Sequence, residues 1–80
     1  PHGSFKAWWE NGEVREKGDY VSGKRNGCWE AWHENGQKAA KGTYADDTKV
    51  LTWLSWDAAG TKRKEKLGGE AKHGRCLITF

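Results

Sequence analysis

The 80-residue chain contains one proline, two cysteines and no methionine, and only 35% of its residues are hydrophobic. No apolar run approaches the roughly 20 residues that a membrane-spanning helix needs. No segment combines helical periodicity with capping residues, which argues against a helical fold. The single proline and the eleven glycines indicate tight turns and not a proline-rich linker. Residues 1–4 include no initiator methionine, and we expect the chain to be a fragment or a mature form.

Recognisable catalytic and metal-binding motifs are also missing. The sequence contains no phosphate-binding glycine loop, zincin motif or nucleophile elbow. The histidines are His2, His33 and His73. Cys28 and His33 lie five residues apart in one expected strand, so their side chains would point to opposite faces of a sheet. We therefore predict a non-enzymatic protein with no catalytic residues, no metal site and no cofactor.

Aromatic side chains are what the sequence has in excess. Six tryptophans, two tyrosines and two phenylalanines make up 12% of the chain. A mean hydropathy of -1.02 with 31% charged residues resembles a disordered composition, but disordered chains are poor in aromatics. The net charge is +3 at pH 7, and residues 61–80 carry six Lys or Arg against two Glu. This basic end is either a solubilising surface or a patch that contacts an anion.

The chain repeats itself with a period of 24 residues. A shift of 24 places Phe5 over Trp29 and Trp8 over Trp32, and it superimposes the two Glu-Asn-Gly sequences at residues 10–12 and 34–36. A second shift aligns Trp53 and Trp56 with the same pattern. We therefore expect one domain with repeats at about 3–26, 27–50 and 51–73, followed by a partial repeat at 74–80.

Each repeat carries the signal of a β-hairpin. Asn11-Gly12 and Asn35-Gly36 predict two-residue type I′ turns, and Ala59-Gly60 is a weaker version because alanine tolerates a positive φ poorly. The sequence thus predicts an all-β fold, an antiparallel meander of stacked hairpins in one elongated, curved sheet. We expect about seven strands, near residues 4–9, 13–20, 28–33, 37–44, 51–56, 61–67 and 75–80, with loops at 22–27 and 45–49.

Strand alternation sorts the side chains onto two faces. The first face carries Phe5, Trp29 and Trp53, and the second face carries Trp8, Trp32 and Trp56. Within the hairpins, Phe5 is expected opposite Gly18 and Trp29 opposite Gly42, so that each ring covers a glycine. Equivalent rings two strands apart would be roughly 10 Å apart. The same alternation puts Val14 on the first face and Arg15 on the second.

One sheet cannot bury both of its faces against itself. The first face is expected to be the core. The second face requires another explanation: either a partner covers it, or its tryptophan rings lie under lysine and arginine side chains.

The repeat resembles the MORN repeat, in the bacterial variant found in the YwqK-like antitoxin family. The residues that carry the resemblance are Gly27-Cys28-Trp29, Trp32, Asn35-Gly36 and Gly42-Thr43-Tyr44, with Gly23-Lys24 as a linking loop. Residues 51–67 match only at Trp53, Trp56 and Gly60. The resemblance implies stacked hairpins, protein binding or membrane association, and a toxin-neutralising role for the bacterial variant. Choline-binding repeats are a rival, but their period is nearer twenty.

The leading functional prediction is a non-enzymatic interaction module that presents a rigid sheet to a protein partner. Tryptophan and arginine dominate binding hot spots. The predicted contact residues are Trp8, Trp32, Leu54, Trp56 and Arg63 on the second face, with Trp9 and His33 as weaker candidates on the first.

Two other functions are left open. An adaptor for a membrane surface or anionic lipid would use Lys62, Lys64, Lys66, Lys72 and Arg75. A binder of glycan or choline would use the aromatic repeats. Nucleic acid is an unfavoured partner, because residues 1–60 are net acidic and no nucleic-acid module matches.

The cysteines and the last strand give two further expectations. Cys28 and Cys76 would lie about 19 Å apart, since four strand spacings separate them, and on opposite faces. We therefore predict two free thiols, which favours a reducing compartment and a cytoplasmic location. The apolar strand 75–80 would leave an unpaired edge. The chain could stop inside a longer array, or the strand could fold over the tryptophans as a cap, but we favour self-association or strand addition through the edge.

Overall fold

The computed structural model describes residues 3–76, and these form a single antiparallel sheet. Its six strands follow one another in chain order as a meander. They are β1 (Gly3–Trp8), β2 (Val14–Val21), β3 (Lys24–Trp32), β4 (Lys38–Ala45), β5 (Thr48–Trp56) and β6 (Lys62–Lys66). The predicted all-β meander is confirmed, with six strands in place of about seven. Within this part of the chain, no helix is long and apolar enough to span a membrane.

The Asn-Gly turns differ from the prediction by one residue. Trp9 N–H donates to Glu13 O at 2.7 Å, and Gly12 N–H donates to Trp9 O at 3.0 Å, which closes a three-residue loop. Gly12 has φ 90°, whereas Asn11 is not in the positive-φ region. Asn11 instead accepts a hydrogen bond from Glu13 N–H through its Oδ1. This is a type I turn followed by a left-handed glycine, and not the predicted type I′ turn.

A bulge compensates for the extra loop residue. The register is Trp8↔Val14 near the loop and Ala7↔Glu16 beyond it, so Arg15 is an additional residue on β2. The expected pairing of Phe5 with Gly18 is therefore preserved. The bulge also moves Val14 to the second face, beside Trp8, and Arg15 to the first face, where it lies over the Trp9 ring. The predicted faces of Val14 and Arg15 were wrong for this reason.

Type I′ turns occur where the hairpins connect, in place of the predicted longer loops. Ser22 and Gly23 have φ 51° and 79°, and Asp46 and Asp47 have φ 49° and 67°. Val21 pairs with Lys24 around the first of these turns. Two consecutive positive φ values match the right-handed twist of the flanking strands. The strands consequently extend to the turn, and the loops shorten to two residues each.

Each core tryptophan lies over a glycine, but over that of the preceding hairpin. A Cβ at Gly18 would overlap the Trp29 ring, and a Cβ at Gly42 would overlap the Trp53 ring. Trp29 Nε1–H donates to Asp19 O at 3.0 Å, and Trp53 Nε1–H donates to Thr43 O at 3.0 Å. The expected pairing of Trp29 with Gly42 is present, yet the ring leans the other way.

An irregularity in strand register produces this lean. Gly18 lies opposite three residues of β3, and the first of them, Gly27, has φ 80°. Leu51 occupies the equivalent position in β5 with φ 64°. Because the rings lean, the centroids of Phe5 and Trp29 are 5.8 Å apart and not the expected 10 Å. Tyr20 and Tyr44 fill the remaining gaps with edge-to-face contacts.

The chain after β6 crosses the second face as a strap, which we define as residues 67–76. Leu51 N–H donates to Gly68 O at 2.6 Å, and Leu67 N–H donates to Leu51 O at 2.8 Å. Near its end, Cys76 N–H donates to Thr43 Oγ1. The strap therefore covers the half of the second face nearest the connecting turns, which holds buried Thr43 and Val50.

Cys28 and Cys76 form a disulfide with a Cα–Cα distance of 4.5 Å. The prediction of two free thiols was wrong, because it assumed that Cys76 continues the meander. The strap instead folds back over β3. The inference of a cytoplasmic location rested on those thiols and loses its support, since disulfides persist mainly in oxidising compartments.

The described part of the predicted edge strand at 75–80 is not a strand. Arg75 and Cys76 are not in a strand, and Cys76 is buried. Residues 77–80 lie outside the described residues. Among the described strands the C-terminal edge is β6, whose sequence Lys-Arg-Lys-Glu-Lys is charged throughout. Charge of this kind discourages pairing with another edge.

Candidate functional site

The open half of the second face carries a row of charged side chains that crosses the sheet. The register pairs Lys6 with Lys17, Lys17 with Glu30, and Glu30 with Lys41. Side chains that are directly opposite share a face, so these four residues project on the same side. We call them the lysine row. It holds three cations and one carboxylate.

The tryptophans of the second face stand beside this row, one step nearer the hairpin loops. Trp8 is 54% exposed, and Lys6 Nζ lies 5.6 Å from the centroid of its ring. Trp32 is half-buried and lies under two lysines, with Lys17 Nζ at 5.8 Å and Lys38 Nζ at 5.3 Å. Of the two explanations for the second face, the structure supports lysine side chains stacked on the rings.

Glu30 is the acidic member of the row and is held ionised. Burial pushes the pKa of its carboxyl group up. The hydrogen bond from Lys38 and the charges of Lys38, Lys41 and Lys17 together outweigh burial, so the pKa of Glu30 lies below its ordinary value of 4.5. Lys38 Nζ is 2.5 Å from Glu30 Oε2. The carboxylate is therefore already engaged by a cation of the same face.

Two shallow depressions flank the pair formed by Lys6 and Lys17. One, of about 310 Å³, lies toward the strap and is lined by Asp19, Cys28 and Glu30 among others. The other, of about 230 Å³, lies toward the hairpin loops and includes Val14 and Trp32. The two lysines line both depressions. The open half of the second face is thus a shallow groove with the strap on one side.

Two of the predicted contact residues are not accessible on the second face. Leu54 pairs with Lys41 on the second face but is only 3% exposed, so it belongs to the core. Arg63 pairs with Ser55, which is opposite Ala40 on the first face, so Arg63 does not share a face with Trp8. Trp56 is on the second face, paired with Lys62.

Trp9 and His33 connect neighbouring hairpins. Trp9 Nε1–H donates to Trp32 O at 3.0 Å. His33 Nε2 lies 2.7 Å from Trp56 O, and because a carbonyl can only accept, Nε2 carries the hydrogen. Both side chains are half-buried and occupy equivalent positions of their repeats. Their geometry is that of residues that hold the hairpins in register.

The basic residues of the membrane alternative are divided between β6 and the strap. Lys62, Lys64 and Lys66 alternate along exposed β6 on the second face. Lys72 belongs to the strap, where its Nζ contacts Asp46 Oδ2 at 3.1 Å. Arg75 is exposed near the end of the strap. Among the described residues, no cluster of three or more His, Cys, Asp and Glu side chains is placed to hold a metal ion.

The lysine row was not predicted. Strand alternation puts Lys6 and Lys17 on the same face as Trp8, and this signal could have found it. Glu30 and Lys41 could not be added without the register between hairpins, because irregularities of two residues interrupt it near Gly18 and Gly42.

Comparison with known proteins identifies the repeat. No curated protein and no solved structure matches the chain. The sequence profile of the MORN repeat variant matches residues 1–22 and again residues 25–46. These segments correspond to β1 and β2 and to β3 and β4, that is, to one hairpin each. Since the two matches together cover more than half of the chain, the protein belongs to the MORN repeat variant family.

Proposed function

We propose that the protein is a non-enzymatic binding module that holds a protein partner on the open half of its second face. Repeats of this family are non-enzymatic and are generally associated with protein binding and membrane interaction. The observation that carries the proposal is Trp8, a 54% exposed indole that lies opposite half-buried Val14 on the same face as Trp32. An exposed tryptophan with a charged rim is typical of a binding hot spot.

The contact residues proposed are Trp8, Trp32 and Trp56. Leu54 is left out because it is buried, and Arg63 is left out because it lies on the first face. The strap supports this assignment, since among the described residues it covers the half of the second face nearest the connecting turns and not the half that holds the tryptophans.

Photo-cross-linking tests the proposed surface. A photoreactive phenylalanine analogue replaces Trp8 in one variant and Arg63 in a matched variant on the first face. We expect protein adducts from position 8 that wild-type protein competes away and that the Trp8→Ala variant competes away poorly. Equal adducts from both positions, or none from position 8, would contradict the proposal.

A toxin is the specific partner that the resemblance implies. For a toxin encoded by a neighbouring gene, co-expression with the wild type and with Arg63→Ala should restore growth, whereas Trp8→Ala should restore it less. Failure of the wild type to protect would remove the toxin-neutralising role and leave the binding surface to be tested by the cross-linking experiment.

Exposed strand β6 favours the membrane-surface alternative, since Lys62 and Lys66 project from an edge strand that is exposed along its whole length. Co-sedimentation with vesicles that contain anionic lipid tests it. Binding that is lost in the Lys62→Gln, Lys66→Gln variant and unchanged in Trp8→Ala would favour the membrane over a protein partner. The glycan or choline alternative stays a prediction.

A further inference from the structure

Building on the proposed function, we infer that the partner presents an acidic, extended segment that lies across the strands along the lysine row. The proposal commits to a protein segment with two carboxylates separated by about the length of four extended residues. The charge of the row, its spacing and its surroundings carry this inference.

The lysine row carries an excess of positive charge. Lys6 and Lys17 are directly opposite each other and exposed, and like charges in such a pair destabilise a sheet. Glu30 offsets part of this charge, but its carboxylate already accepts a hydrogen bond from Lys38. A carboxylate between Lys6 and Lys17 would relieve their repulsion. The row is therefore complementary to an anion.

The spacing of the lysines along the row matches that of side chains on an extended peptide. Lys6 and Lys41 are three strands apart, which corresponds to roughly 14 Å. An extended peptide advances about 3.3–3.4 Å per residue, so residues i and i+4 on one side of it are roughly 13–14 Å apart. An acid at position i reaches the pair Lys6 and Lys17, and an acid at position i+4 reaches Lys41. Position i+2 falls near Glu30 and must not be acidic.

An apolar surface lies beside the row. Trp8, Val14 and Trp32 form the side of the groove nearest the hairpin loops. An apolar side chain between the two acids could pack against these residues and remove their surface from water, at about 25 cal/mol per Å². The favoured segment is therefore acidic at both ends and apolar in the middle.

The shape of the groove argues for a protein segment over the other anionic partners. The strap stands beside the row, so a flat membrane cannot approach it as closely as a single chain can. A nucleic-acid backbone carries a charge at every phosphate, and one of them would meet the Glu30 carboxylate. A peptide can leave that position uncharged.

A synthetic peptide tests the inference. The probe is a labelled seven-residue peptide with glutamate at the second and sixth positions, leucine at the fourth and serine or glycine elsewhere, added to the full chain at low salt. We expect saturable binding. The Lys6→Gln, Lys17→Gln variant should bind about three- to thirtyfold more weakly, as expected for the loss of one or two exposed charge pairs.

Two controls make the result specific. A peptide of the same composition with the glutamates adjacent should bind more weakly than the spaced one. An Arg63→Gln, Lys24→Gln variant has the same net charge as the test variant but keeps the row intact, and should bind like the wild type. Equal losses in both variants would mean unspecific attraction and would overturn the inference.

The outcome also separates this inference from the proposed function. If the peptide does not bind while cross-linking still maps a partner to Trp8, the acidic segment is wrong and the binding surface stands. If anionic vesicles bind with the same dependence on Lys6 and Lys17 and the peptide does not, the ligand is a membrane surface and the inference fails. If position 8 yields no adduct, the proposed function is wrong, and the acidic segment that rests on it is wrong as well.

Discussion

Gly18 and Gly42 are the residues at which a single methyl group would disturb the protein most. Neither has a positive φ, so the backbone itself would accept alanine. The obstacle is the indole ring pressed onto each of them, which is fixed by a hydrogen bond to the next carbonyl along β2 or β4. Glycines under rings were predicted from the sequence, but each one was assigned to the wrong ring.

The structure predicts that Gly42→Ala destabilises the protein by about 2 kcal/mol or more, because the methyl group overlaps the Trp53 ring. In a Trp53→Leu background the cost of Gly42→Ala should be much smaller, whereas a Trp29→Leu background should leave it nearly unchanged. Denaturant unfolding followed by circular dichroism measures both double-mutant cycles. Coupling to Trp29 and not to Trp53 would mean that the ring assignment is wrong.

At the scale of the element, the turn Asp46-Asp47 is tied to its surroundings by charged hydrogen bonds. Asn26 is fully buried. Its Oδ1 accepts a hydrogen bond from Asp46 N–H, and its Nδ2 donates one to the Asp46 carboxylate. Arg25 N–H donates to Asp47 Oδ1 at 2.7 Å. The pKa of Asp46 is lowered by Asn26 and then by Lys72, and the pKa of Asp47 is lowered by the backbone and side chain of Arg25.

These lowered pKa values predict a loss of stability in acid. A carboxylate with a depressed pKa in the folded state stabilises the fold above its ordinary pKa of 3.8, and this contribution is lost as the pH falls through the folded value. The midpoint temperature of thermal unfolding should therefore fall as the pH is lowered below about 3.8. The Asp46→Asn variant should have a lower midpoint temperature than the wild type at pH 7, and its midpoint should fall less in acid. The exposed Glu10→Gln variant is the control and should keep the full drop.

The strap depends on its disulfide. We expect Cys76→Ser to lower the free energy of unfolding by about 2–4 kcal/mol, the usual contribution of a disulfide in a closed loop of this kind. Denaturant unfolding with and without reductant measures it, and reductant should not affect the variant. Wild-type protein that is unfolded without reduction should contain no titratable thiol among Cys28 and Cys76. Two thiols would mean that the strap does not close over β3.

The elements differ in how much of them could be read from the sequence. Strand alternation and the repeated Asn-Gly placed five of the strands within a few residues, because these signals are local. Turn types were misassigned, since Asn11 satisfies Glu13 N–H with its side chain in place of adopting a positive φ. The strap could not be foreseen, because residues 75–80 were predicted as a further strand. Residues 67–76 are instead positioned by long-range contacts with Leu51, Thr43 and Cys28.

For the whole molecule, the described residues form a slab of 32 × 28 × 16 Å with two unequal faces. The first face is lined by its own packed rings, with Trp29 only 3% exposed, and it holds a shallow depression of about 190 Å³ lined by Tyr44 and Trp53 among others. The second face is divided between the strap and the open groove. The candidate site was partly predictable, because alternation places Trp8, Lys6 and Lys17 on one face. Glu30 and Lys41 could be added only with the register between the hairpins.

The proposed binding surface requires ligand to bind the open half of the second face and to leave the rings of the first face undisturbed. The six indole N–H groups report on it in one assigned ¹H–¹⁵N NMR titration with the acidic peptide. We predict that the indole signals of Trp8 and Trp32 shift, while those of Trp29 and Trp53, bonded to Asp19 O and Thr43 O, stay in place. Shifts of the Trp29 and Trp53 signals with the Trp8 signal unchanged would mean that the ligand binds the first face.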